Sequence, residues 1–382
     1  MYALTISSLV VSLRGRTLLT ALLFCLILLF APFTKSLNLP LEKLKLPSGF
    51  QISIYAELQN PRQLAVSDYG IVYAGSLRAG NLYRLTDRDS NGVAESIQII
   101  DNDLKLPTGV AFYNGDLYVG AVNEILVYKN IDHRFESKPE PIVLYDELPT
   151  ETHHGWKYLG FSPNGRLYFN VGAPCNVCKP TNPWFATIMR ISIDTPHLQP
   201  QIFAHGVRNS VGFDWHPETE EFWFTDNGRD LLGDHTPQCE LNRAAKAGLH
   251  FGFPYLHGSD EIDPKFGAPH FPTESPVKEL GPHTAPLGIK FYEGKMFPKK
   301  YRGKMLIAKH GSWNRTQEAG HTGYNISLFD PETGITSTLI EGWLQGNKAW
   351  GRPSDIAEMP DGSVLISDAH GNVIYRLTYD SP

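Results

Sequence analysis

Apolar and polar positions alternate along this chain in a pattern that recurs six times after about residue 50. Each copy has a short apolar strand, a turn rich in Asn, Asp, Pro or Gly, and a second apolar strand. The first strands are centred on residues 65, 111, 160, 212, 288 and 356. One such sheet cannot bury both of its faces alone, so the copies are expected to stack around a common axis. The pattern predicts an all-β fold, a six-bladed β-propeller.

The spacing of the copies shows where the repeat is interrupted. The first three intervals between strand centres are 46, 49 and 52 residues, whereas the last two are 76 and 68. The longer intervals predict loops inserted near residues 230–285 and 308–324, which are expected to gather on the face that bears the functional site. Apolar segments at residues 51–56 and 373–378 are expected to share a blade and close the ring.

The N-terminus has a different composition. Arg14 and Arg16 precede residues 17–33, an almost uncharged apolar run. This arrangement is typical of a secretory signal, and the length of the run also allows an uncleaved membrane anchor. We therefore divide the chain into a signal peptide or signal anchor over residues 1–36 and one propeller domain over residues 40–382. Both forms predict a periplasmic or secreted protein, tethered to the membrane through residues 17–33 if the segment is retained.

Charge and cysteine content limit the partners and the compartment. The net charge of −6, without a basic block, argues against nucleic acid as a partner. Cys25 falls in the targeting segment, and Cys175 and Cys178 are spaced as Cys-x-x-Cys. In an exported protein this spacing favours a local disulfide over a zinc or redox site. Cys239 would then be a free thiol, and a bridge from Cys175 to Cys239 is the alternative.

Charged and turn-forming residues are concentrated in residues 205–242, beside the fourth repeat. Arg208 and Asn209 precede that repeat, so Arg208 would be a fixed cation near the channel, suited to an anionic ligand or a developing oxyanion. The loop that follows is rich in Asp, Asn and Glu and contains Gly228. Hard cations such as calcium take oxygen ligands of this kind. An acidic surface loop is the alternative.

Other polar segments stand at comparable places in the repeats. His153 and His154 precede the third repeat, where a histidine could accept a proton near neutral pH or simply cap backbone groups. Residues 309–315 combine cations with Trp313, which suits a flat anionic cofactor or an exposed basic loop. Arg352 precedes the sixth repeat as Arg208 precedes the fourth, so the two are expected to converge on the axis.

Residues 87–95 form a second candidate for calcium. Oxygen-bearing side chains occupy positions 1, 3, 5 and 9 of this stretch and Gly occupies position 6, as at the front of an EF-hand loop. Gln98 stands where the bidentate Glu would be, so the match is incomplete. A charged β-turn between two strands is the alternative.

Motifs spread over four of the repeats resemble a known family. They are His154 before residues 159–165, residues 206–209, residues 227–230 with 240–242, residues 310–315, and residues 351–353. In this order they resemble the glucose/sorbosone dehydrogenase family over roughly residues 40–380, and residues 172–178 resemble its sorbosone branch. Members of that family are exported, soluble aldose sugar dehydrogenases on a six-bladed propeller that use pyrroloquinoline quinone (PQQ) with calcium.

The resemblance implies roles for particular residues. His154 matches the general base that takes the proton of the sugar C1 hydroxyl as hydride passes to the quinone, and His153 is the weaker candidate. Arg208 and Asn209 match residues that contact the quinone and stabilise its reduced form. The remaining matches are Trp313, Arg315 and Arg352 around the cofactor, the backbone carbonyls of Gly228 and Arg229 on the catalytic calcium, and Glu240 on a structural calcium.

The chain also departs from the pattern of the glucose enzymes. Val211 stands where they carry a Gln, and Cys239 replaces an acidic residue. A cofactor-binding Lys aligns near Gly311, which leaves Lys309 or Arg315 as substitutes. These differences bear on the sugar, the cofactor affinity and one calcium site.

The resemblance therefore implies a PQQ- and calcium-dependent oxidoreductase that oxidises an aldose or a sorbosone-like sugar and passes electrons to an unidentified acceptor. Two alternatives are a calcium-dependent lactonase-type propeller and a non-catalytic propeller that binds carbohydrate or protein. The arginines that precede the blades argue against a lactonase, because a neutral lactone needs no anion-binding site. In the second, His154, Arg208 and Arg352 would be dispensable.

Overall fold

The computed structural model describes residues 38–134, 138–195 and 198–380. The predicted signal or anchor over residues 1–36 lies outside these residues and stays a prediction. Within the described part of the chain, no helix is long and apolar enough to span a membrane. The helices described there are three short 3-10 turns, at Leu41–Lys43, Ile131–His133 and Lys299–Tyr301.

Six sheets, antiparallel except for one added strand in blade three, form the ring, which confirms the predicted six-bladed propeller. The first strand of each blade is the innermost, because these strands contact one another around the axis. The four strands of blades one and two are, in order, Pro61–Val66, Val72–Ser76, Leu82–Thr86 and Ser96–Asp101, then Gly109–Tyr113, Asp116–Gly120, Ile125–Tyr128 and Ile142–Tyr145. Blade three consists of Leu159–Phe161, Arg166–Val171, Thr187–Ser192, Gln201–His205 and a fifth, parallel strand, Leu249–His250.

Blades four to six follow the same order. Their strands are Phe213–Trp215, Phe222–Asp226, Gln238–Ala244 and Lys278–Pro282; then Pro286–Phe291, Met305–Lys309, Asn325–Phe329 and Thr336–Glu341; then Pro353–Glu358, Val364–Asp368, Val373–Tyr379 and Phe50–Glu57. Two small hairpins, Leu256–His257 with Glu261–Ile262 and Leu344–Gln345 with Lys348–Ala349, lie in the connecting segments.

The strand from the N-terminal end of the propeller closes the ring. Phe50–Glu57 pairs with Val373–Tyr379 as the outer strand of blade six, as the sequence predicts. The ring of Phe50 packs edge-on against Phe297, Tyr301 and Tyr379, with centroids 4.8, 5.2 and 5.1 Å away. Closure therefore joins both ends of the propeller through a ladder of hydrogen bonds and an aromatic cluster.

The expectation of one loop over residues 230–285 was wrong. Gln238–Ala244 pairs with Phe222–Asp226 on one edge and with Lys278–Pro282 on the other, so this segment supplies two strands of blade four. Glu240 and Asn242, expected in the loop, alternate with buried Cys239 and Leu241, which is the period of a strand. The second predicted loop is present, between Met305–Lys309 and Asn325–Phe329.

Packing between blades explains why the second strands are so apolar. All five residues of Val72–Ser76 and all five of Phe222–Asp226 are buried. Each blade is covered on both faces by its neighbours, so these strands have no solvent face and do not need alternating polar residues. This rigid ring holds the ends of the inner strands in fixed positions around the channel.

Candidate active site

A cavity of about 370 Å³ opens at one end of the central channel. Its walls come from residues at or just before the inner strands, among them Arg62 in blade one, Asn209 before blade four, Leu287 in blade five and Arg352 before blade six. The volume falls in the range of small-molecule sites. Four arginines and one carboxylate, that of Asp230, line the cavity, so it suits an anionic ligand.

His154 presents a neutral imidazole to this cavity. The residue is 6% exposed, and its Nδ1 lies 2.9 Å from the carbonyl oxygen of Ala173. Because a carbonyl can only accept, Nδ1 carries the ring proton and Nε2 keeps its lone pair. Burial, together with the charge of Arg208, holds the pKa of His154 well below its usual range. The ring is therefore unprotonated at neutral pH, as a general base requires.

The local backbone fixes the position of His154. Its φ of 52° lies in the left-handed region, an uncommon conformation for a residue with a side chain. A Cβ on Gly172 would stand 2.6 Å from the Cβ of His154, so glycine at 172 leaves room for the histidine. His153 is exposed and does not line the cavity, although its ring centroid is 4.1 Å from that of His154.

Arg208 lines the cavity, but protein atoms accept all of its side-chain hydrogen bonds. Nε donates to the carbonyl of Asn176 at 2.8 Å, and Nη1 donates to the carbonyls of Asn227 and Gly228 at 3.1 and 3.0 Å. Nη2 donates to Asn176 Oδ1 at 2.9 Å and to Asp230 Oδ2 at 3.1 Å. These contacts use the five N–H groups of a guanidinium. Arg208 thus joins its own segment to two others, around residue 176 and residues 227–230, at the cavity wall.

Asn209, Gly228 and Arg229 lie next to this arginine. Asn209 lines the cavity, and its Oδ1 is buried without a hydrogen-bond partner. Gly228 lines the cavity and its carbonyl accepts from Arg208, which leaves one lone pair. The side chain of Arg229 points to another partner, since Nη1 forms an ion pair with buried Asp263 at 2.5 Å.

Glu240 lies in a buried polar cluster outside the residues that line the cavity. Its Oε1 accepts from the backbone N–H of Gly258 at 2.7 Å, and its Oε2 accepts from Asn242 Nδ2 at 2.9 Å. Burial and the neighbouring carboxylate of Asp226 raise the pKa of Glu240 to about 8. Asn242 Oδ1 is buried and has no hydrogen-bond partner. Two neighbouring carboxylates and an unpaired amide oxygen form a set that a hard cation would satisfy.

The residues predicted to bind the cofactor divide into those that line the cavity and those that lie outside it. Arg352 lines the cavity; its Nε donates to the carbonyl of His310 at 3.0 Å, and its Nη2 donates to that of Gly311. Trp313 lies at the cavity rim and is 65% exposed. Arg315 does not line the cavity, and its guanidinium binds carbonyls of Asp234, Ala319 and Gly320.

Lys309, the other substitute for a cofactor lysine, also lies outside the cavity lining. Its Nζ donates to the carbonyl of Leu280 at 2.9 Å, and burial lowers its pKa to about 8. The two basic residues considered as substitutes therefore both bind protein carbonyls.

Three residues of the cavity were given no role from the sequence. Arg62 is 7% exposed and lies in the inner strand of blade one. His310 donates from Nδ1 to the carbonyl of Pro353 at 3.0 Å, and burial holds its pKa well below the usual range. Trp156 lines the cavity with Nε1 buried and unpaired. Position before an inner strand, the criterion used for Arg208, could have found Trp156 in residues 153–158.

The EF-hand-like stretch is a loop between two outer strands of blade one. Among the described residues, Asp87, Asp89 and Glu95 offer carboxylate oxygens within 4.8 Å of one another. Asp87 also accepts from the backbone N–H of Gly92 at 2.8 Å, as in a charged turn. This geometry fits both of the expectations drawn from the sequence, so calcium at this loop stays a prediction.

The cysteines pair as the spacing predicts. Cys175 and Cys178 form a disulfide, and Cys239 is a buried free thiol that lines the cavity. Asn176, the main partner of Arg208, lies inside the loop that this disulfide closes. The disulfide therefore braces one wall of the cavity.

Comparison with known proteins identifies a family and a fold. The model of a family described as "Domain of unknown function (DUF7133)" matches residues 41–377. An "Uncharacterized protein" of Borreliella burgdorferi is 34% identical over 358 residues, which cover 88% of this chain and 91% of the relative. Neither description states an activity.

Solved structures with the same fold are more distant in sequence. The holo PQQ domain of pyranose dehydrogenase from Coprinopsis cinerea has a TM-score of 0.71 at 16% identity, over 88% of this chain and 97% of that one. A calcium structure of a family AA12 carbohydrate-active enzyme from Trichoderma reesei has a TM-score of 0.73 at 18% identity, with 88% and 97% covered. The PQQ-bound aldose sugar dehydrogenase of Streptomyces coelicolor has a TM-score of 0.60 at 15% identity, with 88% and 100% covered. At these identities the likeness establishes the propeller fold.

Proposed function

This chain belongs to the family described as a domain of unknown function (DUF7133), and we propose that it is a PQQ- and calcium-dependent oxidoreductase that oxidises a sugar at C1. The observation that carries the proposal is a neutral His154 beside a cavity lined by four arginines. A base next to an anion-binding cavity matches the needs of hydride transfer from a hydroxyl to an anionic cofactor. The sugar dehydrogenases named above support it through their shared fold.

The cavity fits a flat, polycarboxylate cofactor. Its arginines outnumber its carboxylates, and Asp230 is already paired with Arg208 at 3.1 Å. The exposed ring of Trp313 at the rim offers an aromatic face for stacking. Arg352 would hold a carboxylate of the quinone, and Asn209 would offer its unpaired amide oxygen.

Two different calcium positions are compatible with the donor atoms. The carbonyls of Gly228 and Arg229 would serve a calcium at the cavity, and Arg208 orients the first of them through its 3.0 Å hydrogen bond. Glu240 would serve a second, structural calcium together with Asp226 and Asn242 behind the wall. We propose this division because Glu240 lies outside the cavity lining while Gly228 belongs to it.

His154 would act as the base of the proposed reaction. His154 Nε2 takes the proton from the C1 hydroxyl of the sugar, and the bond from Nδ1 to Ala173 keeps the ring in the required tautomer. When bound, the quinone would supply the acceptor for the two electrons that leave C1 as hydride, with calcium as the Lewis acid that polarises it. The protonated His154 is made less stable by Arg208, so it returns its proton to solvent readily.

A lactonase-type reaction is less consistent with this cavity. Such a site needs a central calcium held mainly by carboxylates, whereas Asp230 is the single carboxylate among the residues that line this one. A non-catalytic propeller would not need an unprotonated histidine at the wall. The proposed substrate, an aldose or a sorbosone-like sugar, comes from the sequence resemblance.

We also propose that the protein works outside the cytoplasm and passes its electrons to a separate acceptor. The Cys175–Cys178 disulfide supports an oxidising compartment. Residues 17–33 would tether the protein if the segment is retained. Cell fractionation, with and without alkaline extraction of membranes, distinguishes a secreted from an anchored form.

Reconstitution tests the proposed function. Purified protein is mixed with PQQ and calcium, desalted, and assayed for dye reduction with a panel of aldoses and sorbosone. Retained quinone absorbance together with reduction by at least one sugar is the expected result. Loss of the quinone on desalting and no reduction with any sugar would refute the proposal.

A further inference from the structure

A buried arginine without a partner lies at the inner end of the cavity. Arg62 is 7% exposed, and its guanidinium forms no hydrogen bond or ion pair with any described residue. It lines both the cavity and a small void beneath it, of about 10 Å³. Burial lowers the pKa of Arg62 to about 10, so it remains charged at neutral pH.

No acid among the described residues forms an ion pair with this guanidinium. Asp355 is the carboxylate whose charge acts on the pKa of Arg62. One oxygen of Asp355 accepts from the backbone N–H of Leu64 at 2.8 Å, and the other accepts from the hydroxyl of Tyr158 at 3.1 Å. Burial also raises the pKa of Asp355 to about 7, so the carboxylate is only partly ionised at neutral pH. A guanidinium that faces a cavity and lacks a protein acceptor is placed to bind an anionic ligand there.

Arg352 lines the same cavity and also has N–H groups without a hydrogen-bond acceptor among the described residues. Its Nε and Nη2 donate to the carbonyls of His310 and Gly311, while Nη1 has no hydrogen bond to a described residue. Both arginines line the same cavity, and the positive charge of Arg352 contributes to lowering the pKa of Arg62. Two cations that repel each other across a cavity wall gain most from an anion placed between them.

We infer that Arg62 and Arg352 together bind a carboxylate of the molecule that occupies the cavity. Arg208, whose five N–H groups all bind protein acceptors, instead shapes the wall. The anion-binding pair is thus Arg62 with Arg352. The identity of the ligand as PQQ rests on the proposed function, whereas the position of the anion rests on the two arginines alone.

The test compares Arg62→Gln with Arg243→Gln, a surface arginine of blade four that is paired with Glu221 at 3.4 Å. The dissociation constant of PQQ is measured for each protein in the presence of calcium. We expect Arg62→Gln to weaken binding roughly 10- to 100-fold and Arg243→Gln to leave it unchanged. An unchanged dissociation constant in Arg62→Gln would overturn the inference while leaving the proposed function intact.

The melting temperature of the ligand-free protein separates binding from a structural role. Removal of an unpaired buried charge is expected to leave this temperature unchanged or raise it, whereas loss of a structural arginine would lower it. A lower melting temperature with unaltered PQQ affinity would show that Arg62 is structural. If Arg62→Gln does not fold, the PQQ-bound structure of the unaltered protein decides: a carboxylate oxygen at about 3 Å from Arg62 is expected, and its absence contradicts the inference.

A simpler probe covers the case in which PQQ does not bind at all. Benzene-1,2,4-tricarboxylate is added to both variants and to the unaltered protein, and the melting temperature is followed. A rise that is absent in Arg62→Gln would support the anion site although the proposed function had failed. No rise in any of the proteins would count against both.

Discussion

Asn176 and Arg208 are joined by two hydrogen bonds, from Nε to the carbonyl oxygen at 2.8 Å and from Nη2 to Oδ1 at 2.9 Å. Asn176 lies inside the loop closed by the Cys175–Cys178 disulfide, whereas Arg208 precedes the inner strand of blade four. Asp230 completes the cluster, because its backbone N–H donates to Asn176 Oδ1 at 2.8 Å and its carbonyl accepts from Nδ2 at 3.0 Å. One asparagine therefore couples two cavity walls.

Replacement of Asn176 by Ala should loosen this side of the cavity. The change removes three side-chain hydrogen bonds, one of them to a charged group, and we expect a loss of roughly 2 to 4 kcal/mol in the free energy of unfolding. Denaturant unfolding measures it, with Asn164→Ala as the control, because Asn164 is exposed and accepts one hydrogen bond, from Ser162. Equal stabilities of the two variants would argue against the coupling.

His154→Gln should separate binding from turnover. The variant lacks a basic nitrogen to accept the C1 proton, and we expect turnover to fall roughly 100- to 10,000-fold while PQQ binding survives. His153→Gln is the control, since His153 is exposed and lies outside the cavity lining. A comparable loss in His153→Gln, with full activity in His154→Gln, would reverse the assignment.

The dependence of kcat/KM on pH should reflect the environment of His154. Burial and Arg208 lower its pKa below 6.5, so the neutral, active form persists as the pH falls through 6.5. We expect the acid limb of the profile to lie below that value. An acid limb at or above pH 6.5, with PQQ bound throughout, would show that another group limits the rate.

Glu240→Gln should reveal whether the cluster behind the wall holds calcium. The amide cannot ionise, whereas the carboxyl of Glu240 would ionise on binding calcium beside Asp226 and Asn242. We therefore expect less calcium per chain and a smaller rise in melting temperature on adding calcium. Elemental analysis after dialysis measures the first, and Glu221→Gln on the surface is the control. Full calcium retention in Glu240→Gln would exclude Glu240 as a ligand.

Closure of the ring should depend on Phe50. The residue is 7% exposed and packs against three aromatic rings, so Phe50→Ala is expected to cost about 3 to 5 kcal/mol of unfolding free energy. Tyr69→Ala, at a residue that is 72% exposed, should be close to neutral. Similar melting temperatures for both variants would mean that the outer strand of blade six contributes little to stability.

The sequence predicts the ring well because each blade repeats a local pattern. The inner strands at residues 65, 111, 160, 288 and 356 lie where the apolar runs are, and the fourth begins at Phe213, just after residue 212. The prediction failed for Glu240 because a Glu-Leu-Asn segment contains only one apolar residue, and the pairing with Phe222–Asp226 that makes it a strand is a tertiary contact.

Positions of polar residues were more predictable than their partners. His154, Arg208 and Arg352 all line the cavity, as their places before inner strands suggest. That Arg208 is fully bonded follows from segments around residues 176 and 227–230, which no local pattern links to it. That Arg62 is unpaired depends on Asp355 being bonded to Leu64 and Tyr158, a fact of the folded ring alone.

The absorbance spectrum of protein-bound PQQ, recorded without oxygen before and after addition of an aldose or sorbosone, tests the central claim most directly. With the unaltered protein and calcium, we predict that at least one sugar reduces the bound quinone, and that His154→Gln retains the quinone but leaves it oxidised. A quinone that stays oxidised with every sugar, or that is reduced equally fast in His154→Gln, would contradict the account.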